Sequence, residues 1–115
     1  MECVHAQTRL SEILKWCEQK GASDLHVQAA RPLVIRVDGQ LSRIPENLFA
    51  PLDQAEILQV IEEAFTRKTA ATARERLEYD FSFYHNELRY RANFSKQRGL
   101  QSFSFRVVPQ QRQTL

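Results

Sequence analysis

The sequence is poor in the residues on which many protein chemistries depend. Glycine occurs three times in 115 residues, at Gly21, Gly39 and Gly99. That spacing excludes both G-x-x-x-x-G-K-[ST] and G-x-G-x-x-G, so no loop of this chain can wrap a nucleotide's phosphates by itself. Two cysteines, Cys3 and Cys17, are too few for a disulfide framework, and Cys17 reads as a small buried hydrophobe. The three histidines are scattered: His5 lies near the terminus, His85 in an expected turn, and no partner stands at ligand spacing from His26, so no metal site is expected. No apolar run approaches the roughly 18 residues of a membrane span. The opening MECVHAQTRLSEIL lacks the apolar centre of a signal peptide, so a cytoplasmic protein is expected.

What remains is the composition of one folded domain, 43% apolar and 26% charged, without low-complexity runs. The net charge of +2 is unevenly placed. Residues 86–115 hold six basic side chains (Arg89, Arg91, Lys96, Arg98, Arg106 and Arg112) against Glu87, which leaves the first 85 residues at −3. An anionic partner for the C-terminal segment is one reading, and a solvated basic strand face is the other.

Along the chain, TRLSEILKWCEQKG reads as an amphipathic helix with Leu10, Ile13, Leu14 and Cys17 on one face and Gly21 past its end. DLHVQ, LVIRV and QLSRI follow as short strands, the last two joined by the hairpin dipeptide Asp38-Gly39. A second helix starts at Asp53, with Glu56 completing a capping box and Ile57, Leu58, Ile61 and Phe65 as its stripe. A short third helix is expected over AATARERL. Three strands then follow, YDFSFY, ELRYRANFS and LQSFSFRVV, with turns at His85-Asn86 and KQRG. The expected class is α+β, a mostly antiparallel sheet of about six strands with an N-terminal helix and two helices between the strand groups.

The last hairpin is the most specific feature. Tyr90, Ala92 and Phe94 are even-numbered, while Phe103, Phe105 and Val107 are odd-numbered. Opposed residues of an antiparallel pair share a face, so the loop must have an even length. A loop centred on Arg98-Gly99 sets Phe94 against Phe103, Ala92 against Phe105 and Arg91 against Arg106; moving the centre back one residue sets Arg89 against Arg106. Either register opposes two guanidinium groups, which costs about 0.2–1 kcal/mol. A nearby acid, for which Asp80 is a candidate, or a bound anion would relieve the cost, and arginine forks suit phosphate oxygens. Tyr90, Phe94 and Phe103 interleave with these arginines as in a base-stacking platform, but their phase puts them on the opposite face, as core.

GASDLHVQ raises a separate question. Asp24 and His26 share one face of a strand, Leu25 and Val27 the other. Ser23 and Asp24 after a helix-ending glycine suit local backbone hydrogen bonds better than catalysis.

Taken together, GASDLHVQAARPLVIRVDGQLSRI and YDFSF…ELRYRANFSKQRGLQSFSFRVVP resemble the N-terminal domain of secretion-type hexameric ATPases, most closely the PilT group. The resemblance rests on SDLH, R-[VI]-D-G, D-F-S-F, R-F-R-x-N and F-R-x-[IV]-P in that order, from about Leu10 to Pro109. It implies a PAS-like domain over residues 1–109 and, from residue 110 to 115, the start of a linker to a RecA-like ATPase domain, whose Walker motifs would lie beyond Leu115. It implies that the parent is an enzyme using ATP and Mg, a homo-hexamer powering pilus retraction or related secretion. That hexamer would be cytoplasmic, peripheral to the inner membrane through the pilus or secretion platform, and would have no nucleic-acid partner. It further implies that Arg91 and Arg106 reach the γ-phosphate, with Arg89 and Arg98 as possible auxiliaries. Ser23, Asp24, His26, Asp38 and Gly39 are then structural signature residues, and no complete catalytic set lies in this chain. The alternatives are a stand-alone PAS-like domain that binds a ligand or protein, and a nucleic-acid-binding module using the basic hairpin.

Overall fold

The computed structural model describes residues 2–109. Its elements are α1 (Arg9–Gln19), β1 (Asp24–Gln28), β2 (Val34–Val37), β3 (Gln40–Arg43), α2 (Gln54–Ala64), α3 (Arg67–Glu75), β4 (Glu78–His85), β5 (Leu88–Gln97) and β6 (Leu100–Val107). The strands form one open antiparallel sheet in the order β3-β2-β1-β6-β5-β4. The chain is therefore α+β on the expected plan, and no helix among the described residues is long and apolar enough to cross a membrane. The expected linker, 110–115, lies outside the described residues.

Local chemistry sets the element ends. Thr8 caps α1, accepting from the Ser11 amide at 3.3 Å, and Gly21 takes φ +73° just beyond the helix. The capping box of α2 is complete: Asp53 accepts from the Glu56 amide at 2.8 Å, and Glu56 accepts from the Asp53 amide at 3.1 Å. The stripe of α2 is Ile57, Val60, Ile61 and Ala64, with Val60 in place of the expected Leu58 and with Phe65 buried just past the helix end. Leu58 is only half-buried because it lies about 100° round the helix from Ile57. Helix α3 starts three residues earlier than expected. Thr66 caps it, and the Glu2 carboxylate accepts from both the Thr66 amide (3.1 Å) and hydroxyl (2.9 Å), a contact 64 residues away in sequence.

One turn is displaced. His85 belongs to β4, opposite Leu88, and the hairpin turns at Asn86 (φ +49°) and Glu87 (φ +67°). The other two hairpins turn at Asp38-Gly39 and Arg98-Gly99, all with positive φ, as the right-handed strand twist favours.

The core lies between the helices and one sheet face. Leu10, Leu14, Ile57, Val60 and Phe65 pack against Leu25, Val27, Phe83, Phe94 and Phe105, all at most 2% exposed. Phe65 is the hub, with ring centroids 5.1–6.4 Å from Phe81, Phe83, Phe94 and Phe105. It follows the last helical residue, so the exit of α2 is stapled into the aromatic centre. The period-2 alternation of the strands then leaves the opposite face of the sheet to polar side chains.

Candidate functional site

That polar face is ordered by the ladder. Arg36, Asp24, Arg106, Arg91 and Ser82 are successive cross-strand neighbours on β2, β1, β6, β5 and β4. The next row is His26, Ser104, Asn93 and Asp80. The hairpin register is the one centred on Arg98-Gly99, with Arg91 directly opposite Arg106, Ala92 opposite Phe105 and Phe94 opposite Phe103. A cleft of about 400 Å³ lies over the two rows, lined by Asp24, His26, Asp80, Arg91, Asn93 and Arg106 among others.

The acid beside the arginine pair is Asp24, and not Asp80. Asp24 is 7% exposed, and its Oδ2 accepts from Arg106 Nε at 3.1 Å. Its Oδ1 accepts from Ser23 Oγ at 2.7 Å and lies 3.9 Å from Arg36 Nε. Asp80 lies on β4, two strands from Arg106 and next to the strand of Arg91, and accepts from Asn93 Nδ2 at 2.6 Å. Burial alone would raise the Asp24 carboxyl, but the bonds from Ser23 and Arg106 and the charges of Arg106 and His26 outweigh it and hold the group below its ordinary value. The Ser23–Asp24 bond joins two side chains instead of the local backbone bonds expected, Ser23 Oγ also reaches the Arg36 carbonyl across the ladder at 3.4 Å, and the register adds two arginines to Asp24.

The remaining expected residues separate. Arg89 lies on β5 two positions from Arg91, on the same face, and its carbonyl accepts from the Val108 amide at 2.8 Å. Arg98 sits at the hairpin tip, about 3.4 Å per residue along β5 and thus far from Arg91. Gly39 anchors the row from the β2–β3 turn, its carbonyl accepting from Arg36 Nη1 at 3.3 Å, with Asp38 beside it in the turn. Tyr90, Phe94 and Phe103 are at most 3% exposed on the helix side, so they form no stacking surface.

A second polar cluster joins residues that the sequence reading did not connect. His85 is not an isolated turn residue: it is 7% exposed, its Nδ1 lies 2.7 Å from Glu18 Oε2 and its Nε2 3.0 Å from Ser11 Oγ. Glu18 also accepts from Tyr90 OH at 2.5 Å and Asn86 Nδ2 at 3.2 Å, tying α1 to the β4–β5 hairpin. Burial and the Glu18 carboxylate push the Tyr90 phenol upward, and burial pushes the neighbouring Cys17 thiol up to about 12. The signal was available: Ser11 and Glu18, seven residues apart, share the face of buried Leu14.

These features define a class, an α+β domain whose helix-free sheet face carries a buried carboxylate and a directly opposed arginine pair. No protein-family model matches the chain. It is 38% identical over 102 residues to the type IV pilus retraction ATPase PilT of Pseudomonas aeruginosa, a match covering 87% of this chain. Its fold superposes on the crystal structure of the pilus retraction motor PilT with bound ADP at TM-score 0.73, with 28% identity over 91% of this chain. It also matches the fold of the ATPase DotB of Legionella pneumophila at TM-score 0.66 and 23% identity. By sequence and fold, the chain is a counterpart of the N-terminal domain of PilT-type secretion ATPases. It spans about three tenths of the length of those relatives, 28% of the Pseudomonas protein and 30% of the PilT crystal chain.

Proposed function

We propose that this domain works within a hexameric ATPase that powers pilus retraction or related secretion, and that it presents Arg91 and Arg106 to the γ-phosphate of ATP. The observation that carries the reading is the direct opposition of these two arginines at the floor of a polar cleft. Two like charges on directly opposed ladder positions gain most from an anion that bridges them, and guanidinium forks match phosphate oxygens. As charge shifts on the transferring phosphoryl group, fixed guanidinium donors stabilise it.

The arginine pair suits the phosphate end of a nucleotide. Three isolated glycines cannot form the phosphate cradle, so ATP and its Mg would be held by a RecA-like domain joined through a linker beginning near residue 110. That domain, in the same and neighbouring subunits, is the partner this reading requires. The assembly would work in the cytoplasm against a membrane-embedded platform, and nucleic acid plays no part in it.

The test is ATP turnover of the complete protein with Arg91→Ala and Arg106→Ala. Each substitution should lower kcat by about 10²-fold or more, with hexamers and nucleotide binding retained. Unchanged turnover would reduce the pair to a strand-surface feature.

A further inference from the structure

We propose that Asp24 is the internal counter-ion of this face: it occupies Arg106 when no polyphosphate is present and competes with the phosphate for it. The inference rests on the reading that Arg91 and Arg106 meet phosphate, and it names what regulates that contact.

The asymmetry of the ion pair carries the argument. The Asp24 side chain is 6% exposed and fixed on β1, whereas the Arg106 side chain is 71% exposed. Only the arginine can leave. Its hold is also partial, because Asp24 engages Arg106 through Nε alone, one of five N–H donors on the guanidinium. When Arg106 swings to an anion, Asp24 keeps the Ser23 hydroxyl at 2.7 Å and the Arg36 guanidinium at 3.9 Å, so its buried charge is not stranded. Arg36 thus acts as the holding partner that makes the exchange affordable, and Arg106 as the mobile one.

Charge along the row points the same way. Arg36, Arg106 and Arg91 stand against the single carboxylate of Asp24. Asp24 lies on the Arg106 side of the arginine pair, and Arg91 has no ion-pair partner among the described salt bridges. The apparent affinity for a phosphate is therefore set by the fraction of Arg106 that is released from Asp24. Neutralising Asp24 should raise that fraction at the cost of some stability.

Inorganic triphosphate titrated into this chain by calorimetry at low ionic strength and pH 7 tests the idea. Asp24→Asn should tighten binding about tenfold relative to the parent sequence, and the gain should vanish when Arg106→Ala is added. Asp80→Asn removes one charge from the same cleft without freeing an arginine, and should change affinity less than about twofold. Equal tightening by Asp80→Asn, unchanged or weaker binding by Asp24→Asn, or no binding by it at all overturns the inference. If Arg91→Ala and Arg106→Ala weaken triphosphate but Asp24→Asn does not tighten it, the phosphate reading stands and only the Asp24 role falls. If neither arginine matters, both fall. Should Asp24→Asn fail to fold, the Arg106 Nε–Hε resonance of the unaltered chain decides: it should move on adding triphosphate, and a stationary resonance overturns the exchange.

Discussion

Arg91 and Arg106 face each other across the β5–β6 ladder, and only Arg106 has a carboxylate at its side. The two residues are equivalent in chemistry and opposite in surroundings, so their removal should have opposite effects on folding.

Arg91→Gln relieves the like-charge opposition and should stabilise the chain by about 0.2–1 kcal/mol at low salt. Arg106→Gln relieves the same opposition but deprives buried Asp24 of a donor, and should be neutral to destabilising. Urea unfolding of both variants at low and high salt checks this. The Arg91→Gln gain should shrink as salt screens the pair.

Asp24 gives the fold a defined response to acid. Its folded value is held below the ordinary carboxylate value of about 3.9, so its contribution is present above that value and lost as pH falls through the lower folded one. Asp24→Asn should therefore be less stable than the parent sequence at pH 6, and the gap should narrow progressively as pH falls below about 4. Thermal unfolding across pH 2–7 checks this; a gap of constant size over the whole range would mean Asp24 acts through shape and not charge.

Glu18 carries the polar tie between α1 and the β4–β5 hairpin. Glu18→Ala strands Tyr90 OH and the His85 ring in a largely buried site and should cost on the order of 2–3 kcal/mol. Tyr90→Phe removes one donor and should cost about 1 kcal/mol. A double-mutant cycle should give a coupling above about 0.5 kcal/mol, and additive effects would mean that the Tyr90–Glu18 contact contributes nothing.

Much of this site was readable because a β-ladder obeys parity. With Tyr90, Ala92 and Phe94 on one face and Phe103 and Phe105 on the facing strand, parity requires an even loop and sets Arg91 or Arg89 opposite Arg106; the structure takes Arg91, with the loop at Arg98-Gly99. The capping box of Asp53 and Glu56 was equally local and equally legible. His85 was misread because a turn signal specifies its place only to within a residue, and one residue moved it from solvent into a buried cluster. Leu58 and Val60 exchanged roles for a similar reason, since helical phase near the edge of a stripe depends on what packs against it.

By itself, the sequence determined the α+β class, the parity of the last hairpin and an arginine of β5 opposite Arg106, because period-2 patterning, caps and two-residue turns act over a few residues; the structure selected Arg91 over Arg89. Only the tertiary structure decided which acid serves Arg106. Asp24 and Arg106 are 82 residues apart in the chain, and they meet because β1 inserts between β2 and β6 in the sheet order. No local rule encodes that adjacency; it follows from burying one continuous apolar face beneath three helices.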